Sequence, residues 1–262
     1  MLVPSVPVKR LFRTSLIAAA SALVFAATAY AVTNTVTYSV TLKEKGKPSK
    51  QKPARLTYTS TLNVHGPGGT QPDTQVSSDY FYPKQAVLNA AQFPSPCKKS
   101  DIDNKTTVPS KCKKALIGKG TATSSAGSPG SAPLGTEPLD LTLYNATGGS
   151  QVFLVLNSRP GATATVNHRV IVGTVTQVGG KFGYKTHYDV PADLQTTGPP
   201  FNEPATVTTL TLKIGATIKK SGTKVPYIAL KSCPKSKKLK GKVTVNFNTN
   251  KSTSASTSPQ CT

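Results

Sequence analysis

Four cysteines are the residues best suited to chemistry in this 262-residue chain, and their surroundings decide which chemistry. Cys97 and Cys112 sit inside FPSPCKKSDIDNKTTVPSKCKK, a stretch crowded with lysine, proline and serine. Cys233 lies in KSCPKSKK, and Cys261 is the penultimate residue. Structural zinc sites bring their ligands in tight pairs such as C-x-x-C, and redox dithiols use the same spacing. Neither pattern occurs, and His65, His168 and His187 are scattered over three segments. An even cysteine count in an exported chain reads instead as a disulfide framework. Three pairings are available; joining Cys97 to Cys112 and Cys233 to Cys261 needs the least rearrangement of the chain. Each closed loop would stabilise the fold by about 3–4 kcal/mol in the chain-entropy account. The second bridge would tie the polar tail KSTSASTSPQCT back to the body.

Catalysis leaves a weaker trace. The ten acidic residues are dispersed, and the nearest approach to a pair, Asp101 and Asp103, lies beside Lys98, Lys99 and Lys105. Cations there keep both carboxylates ionised, whereas a general acid needs a raised pKa. As a calcium loop the same stretch fails, because Lys105 takes the fifth position and no glycine or terminal glutamate follows. No G-x-S-x-G elbow, H-E-x-x-H helix or phosphate loop is present. A hydrolase would have to assemble its site from distant segments, with His168 or His187 as base. Both histidines fall in alternating segments, where a strand-face histidine is the ordinary reading. The sequence therefore assigns no catalytic, cofactor-binding or metal-binding residue, and the expectation is a protein that is not an enzyme.

The N-terminus points to export. Lys9, Arg10 and Arg13 precede LIAAASALVFAATA, an apolar run of signal-peptide length that is too short to span a bilayer. Ala29-Tyr30-Ala31 fits the cleavage pattern, so residues 1–31 are expected to be a signal peptide and residues 32–262 the mature chain. Losing those three basic residues and no acid takes the formal charge from +22 to +19.

That charge is almost all lysine, since only Arg55, Arg159 and Arg169 follow the leader. Arginine is the usual reader of phosphates and base edges, whereas lysine acts as a hydrated point charge. Loose attraction to polyanions is therefore expected, without specific recognition of nucleic acid; no aromatic stacking platform is visible either. Lysine concentrates in residues 43–55, 98–119 and 231–242. The candidate polyanion-binding residues are Lys47, Lys50, Lys52, Lys98, Lys99, Lys113, Lys114, Lys235, Lys237, Lys238 and Lys240. The partner expected is an anionic cell-wall polymer or acidic polysaccharide, with the protein secreted or envelope-associated in a structural or adhesive role. The rival classes are a secreted hydrolase and a cationic protein acting on membranes or nucleic acid.

The elements that must carry these residues are strands. Val36, Tyr38, Val40 and Leu42 alternate with polar residues, as do Leu56, Tyr58, Leu62 and Val64, the period-2 signature of half-buried strands. KEKGKPSKQKPAR between them reads as an exposed hairpin loop. Further strands are expected at 115–123, 139–145, 151–157, 167–178, 181–190, 206–214, 226–231 and 242–248. Gly179-Gly180 marks a two-residue hairpin, and the phase slip between Val207 and Leu210 marks a bulge. About ten strands with turns between them predict an all-β, antiparallel β-sandwich, immunoglobulin-like or jelly-roll-like. Residues 124–138, SSAGSPGSAPLGTEP, read as a long Gly/Pro/Ser loop inside a single domain.

Some of these residues also carry a resemblance. Pro83-Lys84, Val87, Asn89, Phe93-Pro94 and Cys97, then Cys112 with Ala115, Ile117, Gly118, Gly120 and Ala122, resemble a group of exported actinobacterial four-cysteine proteins without an assigned function. Leu143-Tyr144-Asn145, Tyr188 to Pro191, and Lys231-Ser232-Cys233-Pro234 with Cys261 follow in the same order. The resemblance covers residues 80–262 and implies export, β-sandwich architecture and both disulfides.

Overall fold

The computed structural model describes residues 33–160, 162, 166–198 and 200–261; the expected signal peptide, residues 1–31, lies outside them. The chain is all-β and antiparallel. Its strands are β1 (Thr35–Lys45), β2 (Ala54–His65), β3 (Gln75–Pro83), β4 (Ala86–Leu88), β5 (Leu116–Ala126), β6 (Gly135–Ala146), β7 (Gln151–Ser158) and β8 (Arg169–Gln177). They continue with β9 (Phe182–Asp189), β10 (Ala205–Ile214), β11 (Thr217–Lys220), β12 (Thr223–Pro226), β13 (Ile228–Leu230), β14 (Gly241–Phe247) and β15 (Ser252–Thr257). Alternation produces them: along β1, Val36, Tyr38 and Val40 are buried while Thr35, Thr37, Ser39 and Thr41 are exposed.

The strands outnumber the expected ten, and they are not divided between two separate sheets. Thirteen form one sheet in the order β15-β14-β3-β9-β8-β7-β6-β5-β10-β2-β13-β4, with β1 on the other edge of β2; β11 and β12 form a separate hairpin. The sheet folds back on itself until β1 lies alongside β15, where the Thr253 hydroxyl donates to the Asn34 carbonyl. Inward side chains from both halves then share one core. Tyr38 and Tyr58 join their hydroxyls at 2.7 Å, and their rings meet those of Tyr80 and Tyr82 on the opposing half. Burial pushes the pKa of all four phenols up, so they remain neutral donors and acceptors.

The expected hairpins and the bulge are present. Residues 46–53 join β1 to β2, residues 178–181 join β8 to β9 with the turn centred on Gly180 and Lys181, one residue past the expected Gly179-Gly180, and the β10 register against β5 shifts between Val207 and Thr209. The expected 124–138 loop is shorter than the composition suggested. Residues 124–126 and 135–138 continue β5 and β6, with Ala126 opposite Gly135, because paired backbone satisfies its polar groups even where side chains are small. The remaining connection is fastened to the β2–β3 loop by paired bonds between Gln71 and residues Gly130 and Ser131.

Register assigns every connection to one of two ends. The β1–β2 tip, the start of β5, the β6–β7 and β8–β9 turns, the end of β10 and the start of β14 lie at a basal end. The loops β2–β3, β5–β6, β7–β8, β9–β10 and β14–β15 lie at the other, the open end. The basal half is filled by large side chains and capped by Phe93 and Tyr227, whose rings meet edge to face at 5.1 Å. Towards the open end the inward residues become leucines, serines and Ala122, and they enclose a cavity of about 450 Å³.

Two glycines permit the tight contact between β5 and β10. A Cβ on Gly120 would lie 2.0 Å from the Thr211 carbonyl oxygen, and one on Gly118 would lie 2.8 Å from that of Lys213. Since both obstacles are backbone, relief requires moving a strand. Gly120→Ala is expected to lower the free energy of unfolding by about 1–3 kcal/mol, read as a lower denaturant midpoint with unchanged slope.

Candidate polyanion-binding end

The site is built by loops, so the staples that hold the loops come first. Cys97 is bonded to Cys112 and Cys233 to Cys261, with Cα separations of 5.3 and 5.9 Å. Cys97 and Cys112 are buried with Ile102, Ala115, Tyr144, Phe153, Val155 and Val170, a small second core on the outer face of β6–β8. Buried Asn145 donates to the carbonyls of Ala90, Phe93 and Pro94 and fixes the entry to this loop. Cys261, Leu239 and Leu230 form a third cluster against Leu42 of β1, so the chain before β14 and the C-terminal tail pack beside the β1–β2 tip.

The three lysine-rich segments are placed differently. Residues 46–53 and 231–240 meet at the basal end, carrying Lys47, Lys50, Lys52, Lys235, Lys237, Lys238 and Lys240, all exposed. Lys113 and Lys114 stand exposed just before β5, also basal. Lys98 and Lys99 lead away from this group: residues 98–105 start at Cys97, bonded to Cys112 beside Lys113, and run up the flank as Ile102 covers the β6–β8 face, with Lys99 Nζ 3.6 Å from Asp103. There the Asp103 carboxylate receives the Arg169 guanidinium at 3.2 Å and the Val170 amide at 3.0 Å.

Sequence reasoning missed further basal cations. Lys219, Lys220 and Lys224 lie on the β11–β12 hairpin that leaves the basal end of β10, Lys181 in the β8–β9 turn, and Lys84 just after β3; all are exposed. They stand singly or in small groups in the sequence, so only strand register shows that they share an end. Acids are distributed the other way. Asp73, Glu137, Asp189, Asp193 and Glu203 fall at the open end, whereas the basal half holds Glu44 and Asp101.

Asp101, Asp103, His168 and His187 are engaged within the protein. Asp101 accepts from Lys111 Nζ and from the Lys98 amide, both at 2.8 Å, and these bonds hold its carboxyl below the usual range. Asp101 and Asp103 thus serve separate basic partners and do not form a carboxylate pair. His168 places Nδ1 2.7 Å from the Lys105 carbonyl. His187 has Asp79 2.9 Å from Nδ1 and Asp189 3.0 Å from Nε2. Among the described residues, neither His168 nor His187 has a hydrogen bond to a side-chain hydroxyl. Among the described residues no three His, Cys, Asp or Glu side chains gather as a metal site, and no helix is long and apolar enough to cross a membrane.

Comparison with protein-family models, curated proteins and solved structures finds no match.

Two outcomes follow from these contacts. Partial burial opposes a charged His187, but bonds to Asp79 and Asp189 outweigh it, and its pKa lies above the ordinary value. The charged ring therefore contributes stability that is fully present below about pH 6.5 and is lost as pH rises through the folded-state pKa. Unfolding free energy should fall by up to about 1 kcal/mol between pH 6 and pH 9, after allowance for solvent screening, and His187→Gln should remove that slope. Replacing Cys97 and Cys112 together by serine should cost about 3 kcal/mol and expose the chain between them to limited proteolysis.

Proposed function

We propose that this is an exported protein that attaches through its lysine-rich basal end to an anionic polymer of the cell envelope or to an acidic polysaccharide. The single observation that carries this reading is the segregation of charge: lysines of six separate connections share one end, where two acids lie, and five of the ten acids lie at the other. Such a field orients the molecule before contact and draws polyanions to one end. Exposed ammonium groups on flexible stems suit a repeating, irregular chain of negative charge better than a single fixed anion. Disulfides that keep the loops in place under extracellular oxidising conditions support the exported setting. The role is attachment, with the sheet as a rigid body behind the adhesive end.

The test is retention on immobilised polyanion, such as a phosphate-backbone wall polymer or a sulfated polysaccharide, over a salt gradient. Replacing Lys235, Lys237 and Lys238 by glutamine should lower affinity at least about tenfold and flatten the salt dependence. Replacing Lys98 and Lys99 on the flank should change little. Equal losses from both sets would show that net charge alone, and not the basal end, governs attachment.

A further inference from the structure

Attachment leaves the other end unexplained. The cavity there holds about 450 Å³, within the range of small-molecule sites and above what a packed core leaves. At about 30 Å³ for a water-sized group it takes roughly fifteen such groups. Its wall is aliphatic and aromatic, with Leu62, Leu141, Leu154, Ile171, Tyr188 and Leu210 contributed by six different strands. It reaches the surface among exposed Asn104, Thr136, Thr196 and Thr197 at the open end.

Polar groups in the wall largely satisfy one another. Ser124 donates to the Thr206 carbonyl, Ser125 to Gln71 Oε1, and the Gln75 amide to the Thr206 hydroxyl. One side chain is left over: Gln75, 8% exposed and in the cavity lining, makes no side-chain hydrogen bond among the described residues; its Oε1 is fully enclosed, so its amide nitrogen is the atom left to the cavity. The cation in the lining, Arg169, is already held by Asp103 and Asp193, and Glu137 and Asp193 line the cavity as well. An anionic head group would meet carboxylates and no spare cation. An uncharged hydroxyl would meet the unpaired Gln75 side-chain amide.

We propose that this cavity binds an uncharged single-chain aliphatic amphiphile of the fatty-alcohol type, its chain among the leucines and its hydroxyl oxygen accepting from the Gln75 side-chain amide. A sheet curled around an interior that its side chains do not fill leaves room for one small ligand. The site is separate from the basal lysines, so attachment and ligand binding are independent activities of one body.

The experiment is calorimetric titration of the purified, disulfide-intact protein with decanol and with decanoate. Decanol should bind saturably at one per chain, and decanoate at least tenfold more weakly. Ala122→Phe, which fills the cavity from β5, should abolish binding; Leu141→Phe is the second filling variant should the first not fold, as judged by circular dichroism. Gln75→Leu should weaken decanol about tenfold. The glutamine variants of Lys235, Lys237 and Lys238 should leave decanol binding unchanged while reducing retention on polyanion, which separates this proposal from the attachment reading. Absence of saturable decanol binding, decanoate binding as tight as decanol, or decanol binding that persists in both filling variants or is untouched by Gln75→Leu, would overturn the proposal.

Discussion

In an antiparallel sheet each connection falls at one of two ends, and hydrogen-bond register decides which. That constraint organises this molecule. A slip of one residue in any ladder would turn a whole strand's buried face to solvent, so the tyrosines and leucines of the core hold the register, and the register sorts the loops. The distribution of charge is thus a consequence of strand pairing. Residues 47, 113, 181, 219 and 237 are far apart in the chain yet lie at one end because strand register returns each of their segments to the basal side.

The same constraint explains why one interior is packed at one end and hollow at the other. Tyr58 and Tyr82 lie on β2 and β3 where those strands approach the base, Tyr38 reaches the Tyr58 hydroxyl from further along β1, and Phe93 and Tyr227 close what remains. Further along, Ser78, Ala122 and Ser124 occupy the corresponding inward positions, and short side chains cannot meet across the fold. Those serines rest on hydrogen bonds within the wall, so their burial carries no large desolvation penalty. The cavity is therefore a property of which strand segments carry small residues, with rigid walls on every side.

Strand identity was legible wherever one face was clearly apolar, as in β1, β2, β7 and β14. β3 was not, although it is central: QVSSDYFYP opens with polar residues that face the cavity region, so its inward side does not look apolar until Tyr80. β15 was hidden for a different reason. STSAST is small and polar on both faces, which suits an edge strand but carries no periodic signal. The bulge in β10 was readable because it breaks an otherwise regular alternation. The lysine segments were visible as composition; their division into basal and flank groups was not, since it depends on Ile102 docking on the outer face of β6–β8, a contact without local signature. The glycines of β5 stood out as a motif, but their reason, the approach of β10, is a matter of tertiary packing alone.

Charge and crosslinks at the base are physically linked. Crowding exposed lysines on neighbouring loops creates mutual repulsion that opposes their ordering, most strongly at low salt. Loops of this composition bury little, so hydrophobic contact alone holds them weakly. The two disulfides sit where this opposition is greatest: one anchors the turn bearing Lys111, Lys113 and Lys114, and the other joins the segment bearing Lys235 to Lys240 to the C-terminus. A covalent link does not weaken as salt falls. The crosslinked basal loops therefore resist their mutual repulsion at low salt, the condition under which the attachment proposed above would be strongest.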